Sequence, residues 1–141
     1  VSAGAAAAGR PLSILVVLAS PPLRLLARSA LEEAFGRSAR TIAAREAGSA
    51  FEALWLLARE RPALALVALD LPVLTGDELV ALLRARPEHR DLPVLAVAPR
   101  SDPGAEGRAA AAGVAALLRT PFEPDAVAAA LAAAGFSGAA P

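Results

Sequence analysis

The 141-residue chain is 56% hydrophobic and 20% charged, which excludes a disordered polypeptide and suits a single domain around one core. Its 14 basic and 14 acidic residues cancel, so no basic stripe for nucleic acid and no polybasic membrane anchor is available. Cysteine is absent, which excludes disulfides and thiolate metal sites, and every basic side chain is Arg, so no lysine can form a Schiff base or reach a phosphate.

Residues 1–11, rich in Ala and Gly and ending in Arg10–Pro11, are expected to form a flexible leader. Leu12–Ala19 follows, apolar at nearly every position. It is too short to span a bilayer. It also has the composition of a signal-peptide core behind Arg10, but it fits best as a first strand buried on both faces. Ser20 can cap a helix with Pro21 at its first position, running to Phe35 before Gly36. The run Arg40–Arg45 alternates polar and apolar residues and predicts an edge strand. Ser49 caps a second helix, to about Arg59. Its stripe Ala50, Ala53, Leu54 and Leu57 faces inward and turns Trp55, the only Trp, outward as a candidate partner anchor.

Ala63–Leu69 predicts the next buried strand, and Gly76–Arg84 the next helix. His89 sits in the charged loop Pro87–Pro93, where it is expected to face solvent and to lack metal-ligand company. Pro93–Ala98 is a further buried strand. Gly104–Ala112 is a helix stopped by Gly113, Val114–Leu118 a fifth strand, and Pro124–Ala134 a last helix stopped by Gly135. Residues 136–141 are expected to be a tail or the start of a linker. Strands alternating with helices of this length predict a doubly wound α/β sheet, whose site lies beyond the carboxyl ends of the strands. Leu18, Ala19, Ala68, Ala98 and Thr120 are the residues placed there.

Four segments carry a resemblance. They are Ile14–Pro21 (ILVVLASP), Pro62–Gly76 (PALALVALDLPVLTG), Asp91–Ala98 (DLPVLAVA) and Leu117–Phe122 (LLRTPF). In order and spacing they resemble the first, third, fourth and fifth strands of bacterial response-regulator receiver domains. The resemblance implies a flavodoxin-like, five-stranded parallel sheet of order 2-1-3-4-5 with helices on both faces, over residues 12–135. It also implies a cis peptide at Thr120–Pro121. In that family a phosphoacceptor Asp is followed four residues later by Pro and eight later by Gly. Pro72 and Gly76 therefore place Ala68 at the phosphoacceptor position. The family's acidic pair falls on Leu18 and Ala19, its hydroxyl residue on Ala98, its lysine on Thr120, and its aromatic switch residue on Leu117.

Each of these substitutions removes chemistry. A methyl group cannot attack phosphorus, Leu18 and Ala19 offer magnesium no oxygen, and Thr120 carries no charge. Asp70 lies two residues past Ala68, about 6.5 Å along an extended chain, too far to replace it. The expectation is a pseudo-receiver: not an enzyme, without cofactor or metal, cytoplasmic, and acting by protein contact in signalling or transcription control. The resemblance places a partner or self-association surface on the fourth helix, fifth strand and last helix, where Leu117 and Ala129 are candidate contacts. The Ala-rich composition there also fits coding bias alone. The vestigial site is expected to be filled and dry. A pocket of several hundred Å³ beside Leu18, Ala68 and Ala98 would instead favour a small-ligand sensor. Arg100, Asp102 and Glu106, after the fourth strand, are placed to bind a small anion.

Overall fold

A computed structural model describes residues 10–136. Five strands alternate with five helices. The strands are β1 (Leu12–Val17), β2 (Ile42–Ala47), β3 (Leu64–Ala68), β4 (Val94–Pro99) and β5 (Ala116–Thr120). The helices are α1 (Pro21–Gly36), α2 (Ala50–Leu57), α3 (Gly76–Arg84), α4 (Ala105–Ala112) and α5 (Pro124–Ala133), with a short 3₁₀ turn at Pro87–His89. All strand pairs are parallel, in the order β2-β1-β3-β4-β5. This is the expected flavodoxin-like sheet. The expected leader falls on residues 1–9, outside the described residues, apart from Arg10 and Pro11.

The apolar runs work because each central strand buries both of its faces. Ile14, Val16, Leu64, Leu66, Leu95, Val97 and Leu118 pack with α1 and α5. Leu15, Val17, Ala65, Val67 and Val94 pack with α2 and α3 on the other side. Under α4 the core is built from small residues: Ala96, Ala98, Ala105 and Ala109 meet Leu69. At about 25 cal/mol per Å² of apolar surface removed from water, these layers are the main stabilising contribution. β2, at the edge, is only half covered, as its alternating pattern requires.

Helix ends follow local chemistry. Ser20 Oγ accepts from Leu23 N at 3.3 Å, and Ser49 Oγ accepts from Glu52 N at 3.1 Å. Thr75 and Glu78 form a reciprocal capping box that starts α3. Three helices close with the same carboxyl-terminal pattern, a 6→1 backbone bond over a left-handed residue. Arg40 N donates to Phe35 O, Val114 N to Ala109 O, and Phe136 N to Leu131 O. The left-handed residues are Ala39, Gly113 and Gly135.

This geometry corrects three boundaries. Arg40 and Val114 are consumed in closing α1 and α4, so β2 and β5 begin two residues later than the runs Arg40–Arg45 and Val114–Leu118. Phe136, placed in the tail, instead packs edge-on against Phe35 with ring centroids 5.8 Å apart. The rest of that expected tail lies outside the described residues. His89 is also corrected. It is 5% exposed, because the 3₁₀ turn folds it inward while Arg84 holds the carbonyls of His89, Arg90 and Leu92.

Candidate functional site

The topology brings the five expected positions to one end of the sheet. Leu18 follows β1, Ala68 ends β3, Ala98 is the penultimate residue of β4, and Thr120 ends β5. Register fixes their spacing: Ala68 pairs with Val97, and Pro99 with Thr120. Together with Ala19, Ser20, Leu23, Asp70, Val97 and Pro99 they line a crevice of about 240 Å³. The expectation of a filled site is therefore corrected. Leu18 is buried at 2% and packs into the α1–α5 layer, while the methyl groups of Ala68 and Ala98 are too short to close the gap.

The loop after β3 explains why Pro72 and Gly76 hold the register without any reactive group between them. Gly76 N donates to Leu69 O at 3.0 Å, and a Cβ at Gly76 would overlap the Ala68 carbonyl. A glycine is required by that close approach alone. Leu74 N donates to Pro72 O at 2.8 Å, closing a three-residue turn around Val73. Val73 has φ of 67° and is 90% exposed, an unusual and strained conformation for a β-branched residue.

Arginines on the rim supply a feature that the sequence reading missed. Arg24, on α1, donates to Leu18 O at 2.6 Å and to Ala19 O, and pairs with Glu46 at 3.1 Å. Arg108, on α4, donates to Leu69 O at 3.0 Å and pairs with Asp77 at 2.7 Å and Asp70 at 3.2 Å. Arg119, on β5, donates to Pro99 O and Asp102 O and pairs with Glu106 at 3.2 Å. Each guanidinium thus ties a loop carbonyl to a carboxylate on another element. The hydrogen bond from Arg108 holds the Asp77 carboxyl below the usual carboxylate range, and Asp77 in turn raises Arg108.

This pairing overturns the anion site expected at Arg100, Asp102 and Glu106. Arg100 pairs with Glu123, Asp102 caps the Gly104 amide, and Glu106 meets Arg119. Magnesium does not fit the crevice either. Leu18, Ala19 and Ala68 present no side-chain oxygen, and the nearby carboxylate of Asp70 is held by Arg108. Among the described residues, no group of three His, Asp or Glu side chains is arranged to hold a metal ion.

The other singled-out residues lie elsewhere. Trp55 is 56% exposed on the outer face of α2, with the Arg59 guanidinium 3.8 Å from its ring centroid. Phe51, one turn earlier, is equally exposed. Leu117 is half-buried beside the α4 layer, and Ala129 is exposed on α5. The Thr120–Pro121 peptide is cis and leads β5 toward α5. No helix among the described residues is long and apolar enough to cross a membrane.

No protein-family model matches the sequence, and no curated protein sequence does either. Solved structures do match. The chemotaxis response regulator CheY4 of Vibrio cholerae superposes with a TM-score of 0.74 at 22% identity, over 89% of this chain and 99% of that one. The receiver domain of a sensor histidine kinase from Pseudomonas aeruginosa, which has a magnesium ion in its active-site cleft, gives 0.75 at 21%, again over 89% and 99%. The bacteriophytochrome response regulator RtBRR gives 0.74 at 25%, over 89% of this chain and 79% of that one.

Proposed function

The chain has the fold of response-regulator receiver domains, and from that premise we propose that it is a pseudo-receiver, a non-phosphorylatable module that signals through protein contact. One observation carries the reading. The central strand ends in Ala68, a methyl group, where the resemblance places the nucleophilic carboxylate of phosphorylating receivers. Leu18, Ala19, Ala98 and Thr120 extend the same loss to the metal ligands, the hydroxyl and the cation. The module is no enzyme and needs no cofactor. Its place is bacterial two-component signalling or transcription control in the cytoplasm.

Without a phosphorylation switch, its state is set by whatever binds it. The partner is a protein or a second copy of the chain, held on the face of α4, β5 and α5 that includes Leu117 and Ala129, with Trp55 as a separate anchor on α2. A second reading draws support from the open crevice, since about 240 Å³ of space at the strand ends suits a small ligand in place of phosphate.

Thermal melting with and without magnesium tests the pseudo-receiver reading. The expected melting temperature is the same in both, for the wild type and for Ala68→Asp, because a single restored carboxylate still lacks the acidic pair. A saturable magnesium-dependent rise in the wild type would overturn it.

A further inference from the structure

We propose that the crevice at the strand ends binds a small, uncharged, largely apolar molecule with one hydroxyl or carbonyl group. The proposal rests on the ligand reading above and names the class of ligand. Size sets the first limit. About 240 Å³ is the space of roughly eight waters, enough for a substituted six-membered ring and less than a drug-sized molecule needs. Lining chemistry sets the second. Leu23 and Ala68, both part-exposed, present only hydrocarbon side chains to an occupant, over a floor that includes the buried Leu18 and Val97.

Charge sets the third limit. Arg24 at the end of β1 is used by Glu46 and by the Leu18 and Ala19 carbonyls. Arg108 is used by Asp70, Asp77 and the Leu69 carbonyl, and the same bond occupies Asp70, the one carboxylate in the lining. An ionic ligand entering here would lose hydration without finding a free counter-charge, whereas a neutral one pays no such penalty.

Polarity sets the fourth. Ser20 Oγ accepts from the Leu23 amide, which leaves its O–H free to donate. Thr120, at the end of β5, adds a second hydroxyl to the lining. Either hydroxyl can meet one polar group on the ligand while its apolar body covers Ala68. Such a ligand would bridge the start of α1 and the end of β5, joining the crevice to the α4–β5–α5 face.

The test is an amide NMR titration of the full chain with benzyl alcohol, with benzoate and benzylammonium as charged counterparts of the same shape. Benzyl alcohol is expected to shift the Ala68, Ala98 and Thr120 amides saturably, and both ions to bind at least tenfold more weakly. Ala68→Leu, which fills the crevice, should abolish the shifts. Thr120→Val, which keeps the shape but removes the hydroxyl, should weaken benzyl alcohol severalfold and leave toluene unchanged. Tighter binding of either ion would overturn the neutral class while leaving the crevice a ligand site. Silence from every probe would overturn the ligand reading with it. Unchanged shifts in a folded Ala68→Leu variant would place the binding elsewhere and also refute the proposal.

Discussion

Arg108→Met removes a guanidinium that ties α4 by hydrogen bonds to both α3 and the loop after β3. The arginine donates to Asp77 at 2.7 Å, to Asp70 at 3.2 Å and to the Leu69 carbonyl at 3.0 Å. Both carboxylates are partly solvated, with Asp70 57% and Asp77 31% exposed in their side chains, so each ion pair is worth about 0.5 kcal/mol after screening. The lost hydrogen bond to the Leu69 carbonyl adds about 1 kcal/mol. The expected cost at neutral pH is thus about 2 kcal/mol, or about 7 °C in Tm for a domain of this size. The pH dependence has a definite sign. Asp77 has a folded pKa below its ordinary 3.8, so its share of the stability is present above that value and is lost as pH falls through the depressed folded value. Urea unfolding of wild type and variant at neutral pH, and at the most acidic pH where both remain folded, measures the effect. The gap between them should narrow in acid by the share that Asp77 contributes. A gap below about 0.5 kcal/mol at neutral pH, or one that does not change with pH, would refute the assignment of Arg108 as the fastening group.

Two backbone predictions follow from the dihedral angles and close contacts. Ala39 holds a left-handed φ of 59° where α1 closes, so Ala39→Gly should stabilise the protein by about 0.5–1 kcal/mol in urea unfolding, and a loss of stability would contradict the closure described. Gly76→Ala drives a methyl group into the Ala68 carbonyl and should cost about 3 kcal/mol or more, or prevent folding; a wild-type unfolding midpoint would show that the loop is not packed as described.

Much of the architecture was legible because the signals were local. Apolar runs marked buried strands, Ser20 and Ser49 marked helix starts, and Gly113 and Gly135 marked helix ends, each through chemistry within a few residues. The stripe on α2 correctly turned Trp55 outward. The misplaced starts of β2 and β5 came from reading apolar pattern alone, when Arg40 and Val114 were needed to close the preceding helices. Phe136 carried a usable sign, an apolar residue directly after a helix-ending glycine, which commonly folds back onto the helix. His89 carried none, since its burial depends on a 3₁₀ turn and on Arg84 gathering three carbonyls.

At the site, Pro72 and Gly76 fixed where Ala68 would stand, and their role proved to be backbone packing. What the sequence could not convey was pairing across distance. Arg108 meets Asp77 across 31 residues and Asp70 across 38, and Arg24 meets Glu46 across 22. In a chain where Arg is the only strong base, composition does not say which arginine ties which loop. The crevice was hidden for a related reason. Apolar side chains at the strand ends were expected to pack the site shut, but Leu18 is committed to the core beneath and the methyl groups of Ala68 and Ala98 leave a crevice.

Intact-mass analysis after incubation with acetyl phosphate and magnesium bears most directly on the absence of a nucleophile at the end of β3. The chain should emerge unmodified at every donor concentration. A stoichiometric, acid-labile phosphoryl adduct, mapped to Asp70 or to any other carboxylate at the mouth of the crevice, would contradict the account.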